Sequence, residues 1–500
     1  MSRRALPLLL GPPLLILAFA LAALHAPAAV ALPFSPCTNS PGFACASVPV
    51  PLDRSGRVPG VISLSVQRKA AAAGPSQSAV LALAGGPGQA MLPLGEFVAR
   101  ELAPALGARD LLLFDQRGTG ESDPLSCNAL RVQSASAVGK LVERCALEIG
   151  PARGAYTTAE SVADIEAVRR AGGYQRLTLY GTSYGTKVAL QYAQRYPEHV
   201  ESLLLDSVVP ADGPEPFMVR TFQAIKPVLG ELCANRACAG ITPSPLRDLA
   251  ALAARLRRHA LGGSAYDGSG RRSPSAISES GMLDILQAGD LNPALRALLP
   301  AAVRSALHHD PDPLLRLHLL SQGLIPSVPK QPLEGSPSID ETLFVTTSCE
   351  ELPFPWQRAA SATTRLAEAL AALHALPGGD FAPFDASTAL ANGLIPGCVY
   401  WPDASAPSAP SAPLPNVPTL ILSGAQDLRT PTSSARQVAS QIPDAQLLVV
   451  PYTGHSVLGS DFSGCAQAAV SAFFAGNPLR SCSATPDLFS PTPVAPRKLA

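Results

Sequence analysis

The sequence predicts an α/β protein with a mostly parallel, doubly wound sheet and an inserted helical cap. Three observations predict it. Short, largely apolar runs at 79–84, 111–114, 177–180 and 203–205 alternate with helical patterns, as buried parallel strands do. That alternation lapses between 210 and 400, where the texture is helical, and resumes at 419–422 and 447–450. Third, Gly181-Thr182-Ser183-Tyr184-Gly185 lies between the run 177–180 and an amphipathic run from Lys187 to Arg195. Strand, Gly-x-Ser-x-Gly, helix is the context a nucleophile elbow requires, because the serine must stand above the sheet edge.

Taken in order, residues 1–31 read as an export signal. Arg3 and Arg4 form a basic start, 14–23 is an unbroken apolar run, and Ala29-Val30-Ala31 is a small-x-small cleavage site. Pro12 and Pro13 disfavour a spanning helix. An uncleaved anchor stays open, since no charged residue separates Arg4 from Asp53. The general secretory route fits better than twin-arginine export, whose usual hydrophobic and lysine positions are missing after Arg4.

Residues 32–209 are expected to form the first part of the core. Its opening, 32–60, reads as loop, and 61–66 alternates as a strand. The run 79–84 ends in Gly85-Gly86-Pro87-Gly88, and 111–114 ends in Asp115-Gln116-Arg117-Gly118-Thr119-Gly120. Thr157-x-x-Glu160 is a capping box, continued at helical spacing by Val162, Ile165 and Val168 and stopped by Gly172-Gly173. The cap, 210–400, is read as helical at 246–258, 283–299, 314–320 and 364–376. The Ser-Ala-Pro repeats within 405–415 form a stiff exposed loop. Core resumes over 401–485, and 486–500 is expected to be a disordered tail.

Composition narrows the function. Of 500 residues, 47% are apolar and the formal net charge is zero, which argues against a nucleic-acid partner. Ten cysteines (37, 45, 127, 145, 233, 238, 349, 398, 465 and 482) form an even set, expected to be disulfides in an exported chain. Spacing does not fix connectivity. Nearest-neighbour pairing, Cys37–Cys45, Cys127–Cys145, Cys233–Cys238, Cys349–Cys398 and Cys465–Cys482, closes the most local loops. No Cys-x-x-Cys or His-Glu-x-x-His motif is present, so no metal is expected.

A serine nucleophile needs a base, an acid that orients the base, and donors for the oxyanion. His455 follows a late strand in Tyr452-Thr453-Gly454-His455, where a sheet-edge base belongs. His25 falls in the signal; His259, His308, His309, His318 and His374 fall in the cap; His199 follows the elbow helix. The acid has two candidates at strand ends, Asp427 and Asp206. Asp427 is preferred, because it lies 28 residues before His455, room for one helix and one strand, in the order Ser, Asp, His. The oxyanion donors are expected to be the backbone N–H groups of Tyr184 and Gly86.

Ala84-Gly85-Gly86-Pro87-Gly88-Gln89, then Asp115-Gln116-Arg117-Gly118-Thr119-Gly120-Glu121-Ser122, then the elbow resemble the prolyl iminopeptidase family of α/β-hydrolases. The export signal, Cys45-Ala46-Ser47-Val48-Pro49-Val50-Pro51-Leu52-Asp53 and Gly424-x-x-Asp427-x-x-Thr430-Pro431 are closer to its secreted tripeptidyl-aminopeptidase-like branch. The resemblance runs from about Cys37 to Cys482. It implies the α/β-hydrolase fold and a cofactor-free serine exopeptidase acting on peptides with free N-termini. It also implies cap acids that hold the substrate amine, for which Glu350 and Glu351, beside Phe344, Phe354 and Trp356, are the candidates. Ala84 stands where the iminopeptidases often have histidine, which counts against strict proline specificity.

The sequence therefore points to an exported serine hydrolase, secreted or periplasmic. It is expected to act as a monomer, with no stable membrane association once the signal is cleaved. Its rivals are an esterase or amidase using the same residues and a non-catalytic exported binding protein. Haloalkane and epoxide chemistry is disfavoured, because it needs a carboxylate where Ser183 stands.

Overall fold

In the computed structural model of the chain, residues 32–131, 138–267, 270–322, 339–402, 412–482 and 487–493 are described. The expected export signal at 1–31 and most of the Ser-Ala-Pro loop lie outside these residues. The central sheet is built from β1 (Ser35–Pro36), β2 (Ala44–Pro51), β3 (Val61–Lys69), β4 (Ser78–Leu83), β5 (Asp110–Phe114), β6 (Arg176–Thr182) and β7 (Val200–Asp206). Between β7 and the last two strands of this sheet comes a hairpin, β8 (Leu261–Tyr266) and β9 (Arg272–Ile277); β10 (Thr419–Gly424) and β11 (Ala445–Val450) then complete the sheet.

The order is β1-β2-β3-β5-β4-β6-β7-β10-β11. From β5 to β11 the strands are parallel, while β1, β2 and β3 meet it antiparallel. Parallel strands need helical crossovers, and these cover both faces. Leu81 and Leu83 of β4 pack on one face with Ile165 and Val188, whereas Val80 and Ala82 pack on the other with Val98 and Val470. The central strands β4, β5 and β10 are thus buried on both sides, which is why they read as unbroken apolar runs.

The cap has its own apolar core, including Phe222, Leu252, Leu283, Leu299 and Leu314. Leu428, one residue beyond Asp427, is fully buried in that cap core. Among the described residues no helix is long and apolar enough to cross a membrane.

Four expectations need correction. Residues 44–51, read as loop, form β2. Its two prolines hid the strand, but Pro49 and Pro51 are exposed and alternate with buried Val48 and Val50. β1 covers only Ala44 and Cys45, so the prolines sit on an edge where a missing N–H costs no ladder bond. The cap is not purely helical, since it carries the β8–β9 hairpin. Gly262, Gly263 and Pro274 mask its strand pattern; a Cβ on Gly263 would come within 2.8 Å of Leu315.

The expected helix 283–299 is two helices, Glu279–Ala288 and Pro293–Leu307. Asn292 caps the second through Leu295 N–H and Pro293 occupies its first turn, so the chain breaks at 289–292. Finally, 487–493 of the expected disordered tail have a defined position. Phe489 packs on Phe462 and Thr492 N–H donates to the Ala297 carbonyl.

Disulfides join Cys37 to Cys45, Cys127 to Cys145, Cys233 to Cys238, Cys349 to Cys398 and Cys465 to Cys482. The described residues hold no free cysteine.

Candidate active site

Ser183 sits between β6 and the helix Tyr184–Arg195 with φ 55° and ψ −122°. That is a strained backbone for a residue with a side chain, and it turns the chain sharply at the strand end. The flanking glycines are required by close approach. A Cβ on Gly181 would lie 2.5 Å from the Gly185 carbonyl, and one on Gly185 would strike the carbonyls of Leu83 and Ala84. The loop after β4 is equally tight, because a Cβ on Gly85 would lie 3.2 Å from the Ser183 Cβ. Gly86 adopts φ 104°, open to glycine without strain. The loop that carries Gly86 therefore lies directly against the serine.

The Asp-Gln-Arg-Gly string, which sequence reasoning used only as a family marker, braces this loop. Asp115 accepts the N–H groups of Met91, Leu92 and Glu121 at 2.6, 2.9 and 2.8 Å. Arg117 is buried and forks onto Asp164 with two bonds of 2.7 Å. It also donates to the carbonyls of Leu52 and Ala155. A buried guanidinium with this many partners fixes three segments at once.

His455 and Asp427 meet at the C-terminal ends of β11 and β10. The His455 Nδ1 lies 2.9 Å from Asp427 Oδ2. The other Asp427 oxygen accepts the N–H groups of Arg429 and Thr430 at 2.8 and 2.9 Å. Thr430 Oγ1 donates to Asp427 at 2.6 Å and lies 3.1 Å from His455 Nδ1, a bridging position that sequence reasoning missed. Burial pushes the Asp427 carboxyl up, but His455 and the Thr430 bonds outweigh it and hold it at about 2. Burial pushes the imidazole down, and the Asp427 charge more than reverses this, so His455 lies above its ordinary value.

Asp206 has a different environment. Its carboxylate accepts the N–H groups of Val457 and Leu458 at 2.7 and 3.0 Å, and the Ser207 hydroxyl at 3.0 Å. Its backbone carbonyl accepts Ser183 N–H at 2.9 Å, and Ser207 Oγ accepts Ser456 N–H at 2.8 Å. The Asp206-Ser207 corner thus ties the elbow to the turn after His455. Burial raises the Asp206 carboxyl against those N–H groups. Among the described residues Ser183 Oγ makes no hydrogen bond to His455. Such contacts are commonly long in free enzymes and tighten when substrate is bound.

The two cap acids expected to hold a substrate amine have other partners. Glu350 is buried; it accepts Trp401 Nε1–H at 2.8 Å and pairs with Arg153 at 2.9 Å. Glu351 pairs with Lys187 at 2.5 Å and accepts the Thr158 N–H and hydroxyl at 2.8 and 2.6 Å. Both carboxylates bond within the fold, in the clasp between cap and core; Glu350 does so through Oε1, while its buried Oε2 has no partner among the described residues. Their partners lie far away in sequence, and no local pattern announced them.

Comparison with known proteins adds two family models and three relatives. The family model described as alpha/beta hydrolase fold matches residues 79–231, and the one described as TAP-like protein matches 382–479. Serine protease Hip1 of Mycobacterium tuberculosis is 30% identical over 204 residues, 35% of this chain and 39% of that protein. Tripeptidyl aminopeptidase of Streptomyces lividans is 29% identical over 188 residues, 33% of this chain and 35% of that protein. Proline iminopeptidase of Neisseria gonorrhoeae is 31% identical over 98 residues, 20% of this chain and 24% of that protein. The matched part spans well under half the length of these relatives. With its sheet order, its elbow and the match at 79–231, the chain has the α/β-hydrolase fold, and its residues 382–479 are similar to the TAP-like model.

Proposed function

We propose that this chain is an exported serine hydrolase acting as an aminopeptidase on peptides with free N-termini. The 2.9 Å contact of His455 Nδ1 with Asp427, beside a serine held at φ 55°, carries this reading. Ser183 Oγ attacks the scissile carbonyl, and His455 Nε2 takes its proton. Asp427 holds the imidazole with Nδ1–H facing inward and stabilises the imidazolium. The Gly86 and Tyr184 N–H groups receive the developing oxyanion. His455 then protonates the leaving amine, and water resolves the acyl-enzyme by the same steps in reverse.

The peptide substrate rests on the relatives, which are named serine protease, tripeptidyl aminopeptidase and proline iminopeptidase. Export rests on the sequence of 1–31 and on five disulfides, which fit an oxidising compartment. A peptide library with free and N-acetylated termini, read by mass spectrometry, tests the reading. Release of N-terminal fragments from the free peptides alone is expected. Equal cleavage of both sets, or turnover of aryl esters alone, would replace it with an endopeptidase or an esterase.

A further inference from the structure

The break at 289–292, between the cap helices Glu279–Ala288 and Pro293–Leu307, is where the cap touches the proposed acid and base together. Asp290 is buried there. Its Oδ2 accepts the N–H groups of Leu428 and Arg429 at 3.0 and 2.9 Å, just after Asp427. Its backbone carbonyl accepts His455 N–H at 2.9 Å. Its Oδ1 pairs with Arg296, which also donates to the carbonyl of Gln426, just before Asp427. A Cβ on Gly454 would collide with the Asp290 carbonyl, so the backbones meet as closely as glycine allows.

One cap residue and its partner thus bracket Asp427 from both sides and hold His455 by its backbone. Burying a carboxylate is costly even when it is paired, and packing alone does not call for one at this place. Burial pushes Asp290 up to about 6, against the pull of Arg296.

We propose that Asp290 is a positioning residue: the cap, through Asp290 and Arg296, sets the imidazole of His455 against Asp427. The inference rests on the assignment of Ser183, His455 and Asp427 above. It makes base and acid competent only while the cap is seated. The charged groups around His455 are Asp427, Asp290, Arg429 and Asp206. Those around Asp290 are Arg296, Asp427 and Arg429.

The test labels the full chain with a fluorophosphonate and measures kinact and KI across pH, in wild type, Ser183→Ala, Asp290→Asn and Arg296→Lys. Asp290→Asn is expected to lower kinact by about 100-fold, the cost of a misplaced catalytic group, with KI nearly unchanged. Its acid limb should move to lower pH, since a negative charge beside His455 is gone. Arg296→Lys keeps the charge but loses the second donor, and should lower kinact without moving the limb. If Asp290→Asn melts early, Arg296→Lys carries the test. Wild-type kinact in a folded Asp290→Asn or in Arg296→Lys overturns the inference while leaving the reading intact. Labelling that persists in Ser183→Ala overturns the reading itself.

Discussion

Glu351 of the cap and Lys187 of the elbow helix form a 2.5 Å ion pair, with side chains only 9% and 5% exposed. Glu351 also accepts both donors of Thr158, at the start of the helix Thr158–Ala171. Removing one partner leaves a buried ammonium unpaired. Glu351→Gln should therefore cost about 3–5 kcal/mol of stability. Urea unfolding measures this. A fold of wild-type stability with a raised KM for free-amine peptides alone would return Glu351 to a substrate-binding role.

The acid assignment separates two aspartates. Asp427→Asn should lower kcat by about 10⁴-fold with the fold intact, because the imidazole is then held in the wrong tautomer. Asp206→Asn should instead cost about 1–3 kcal/mol, since an amide NH₂ would face backbone N–H groups. Thermal melts and fluorophosphonate labelling of both variants check the pair. The reverse pattern would move the acid to Asp206.

The placement of Ser183 and Asp427 at strand ends was legible because β6 and β10 are short runs buried on both faces, and that of His455 because it follows the apolar end of β11. Such runs leave a strong linear signature, and strand ends at one sheet edge converge. Asp290 was not legible. Helical spacing continues across 283–299, and Gly289, Asn292 and Pro293 alone mark the break. Nor could sequence reveal that Glu350 and Glu351 meet Trp401, Arg153, Thr158 and Lys187. Buried ion pairs depend on the packing of distant segments, and an acidic pair near aromatic residues looks the same whether its partner is a ligand or the fold.

The pH profile has a defined sign. His455 must be neutral to accept a proton, and Asp427 holds it above its ordinary value of 6.5. The acid limb of kcat/KM should then have its midpoint above 6.5, a property of the coupled pair. For stability, the raised His455 contributes fully below its unfolded value, and this is lost as pH rises through the folded one. The depressed Asp427 contributes above its unfolded 3.8, and this is lost as pH falls towards about 2. A pH–rate profile with its midpoint below 6.5 would contradict the His455–Asp427 coupling.

Cys349 and Cys398 close a loop with a sequence separation of 49 and join the helix Glu341–Glu351 to Ile395–Cys398. Chain-entropy arguments give such a loop about 4 kcal/mol. Cys349→Ser with Cys398→Ser should lower cap stability by that order while leaving the sheet core folded. Hydrogen exchange, compared between the cap and β4–β7, reads the difference. Uniform loss across both would mean that cap and sheet unfold as one unit.

The prolines of β2 have a consequence for colloidal behaviour. Along the outer edge of the sheet, Pro49 and Pro51 face solvent and present no N–H. An incoming strand from another molecule would find acceptors there but no donors, and so could not extend the ladder. An otherwise open sheet margin is thereby protected against strand addition. Replacing both prolines with valine would leave the pairing with β3 intact and supply the missing donors. Concentrated solutions of that variant should become turbid where the wild type stays clear.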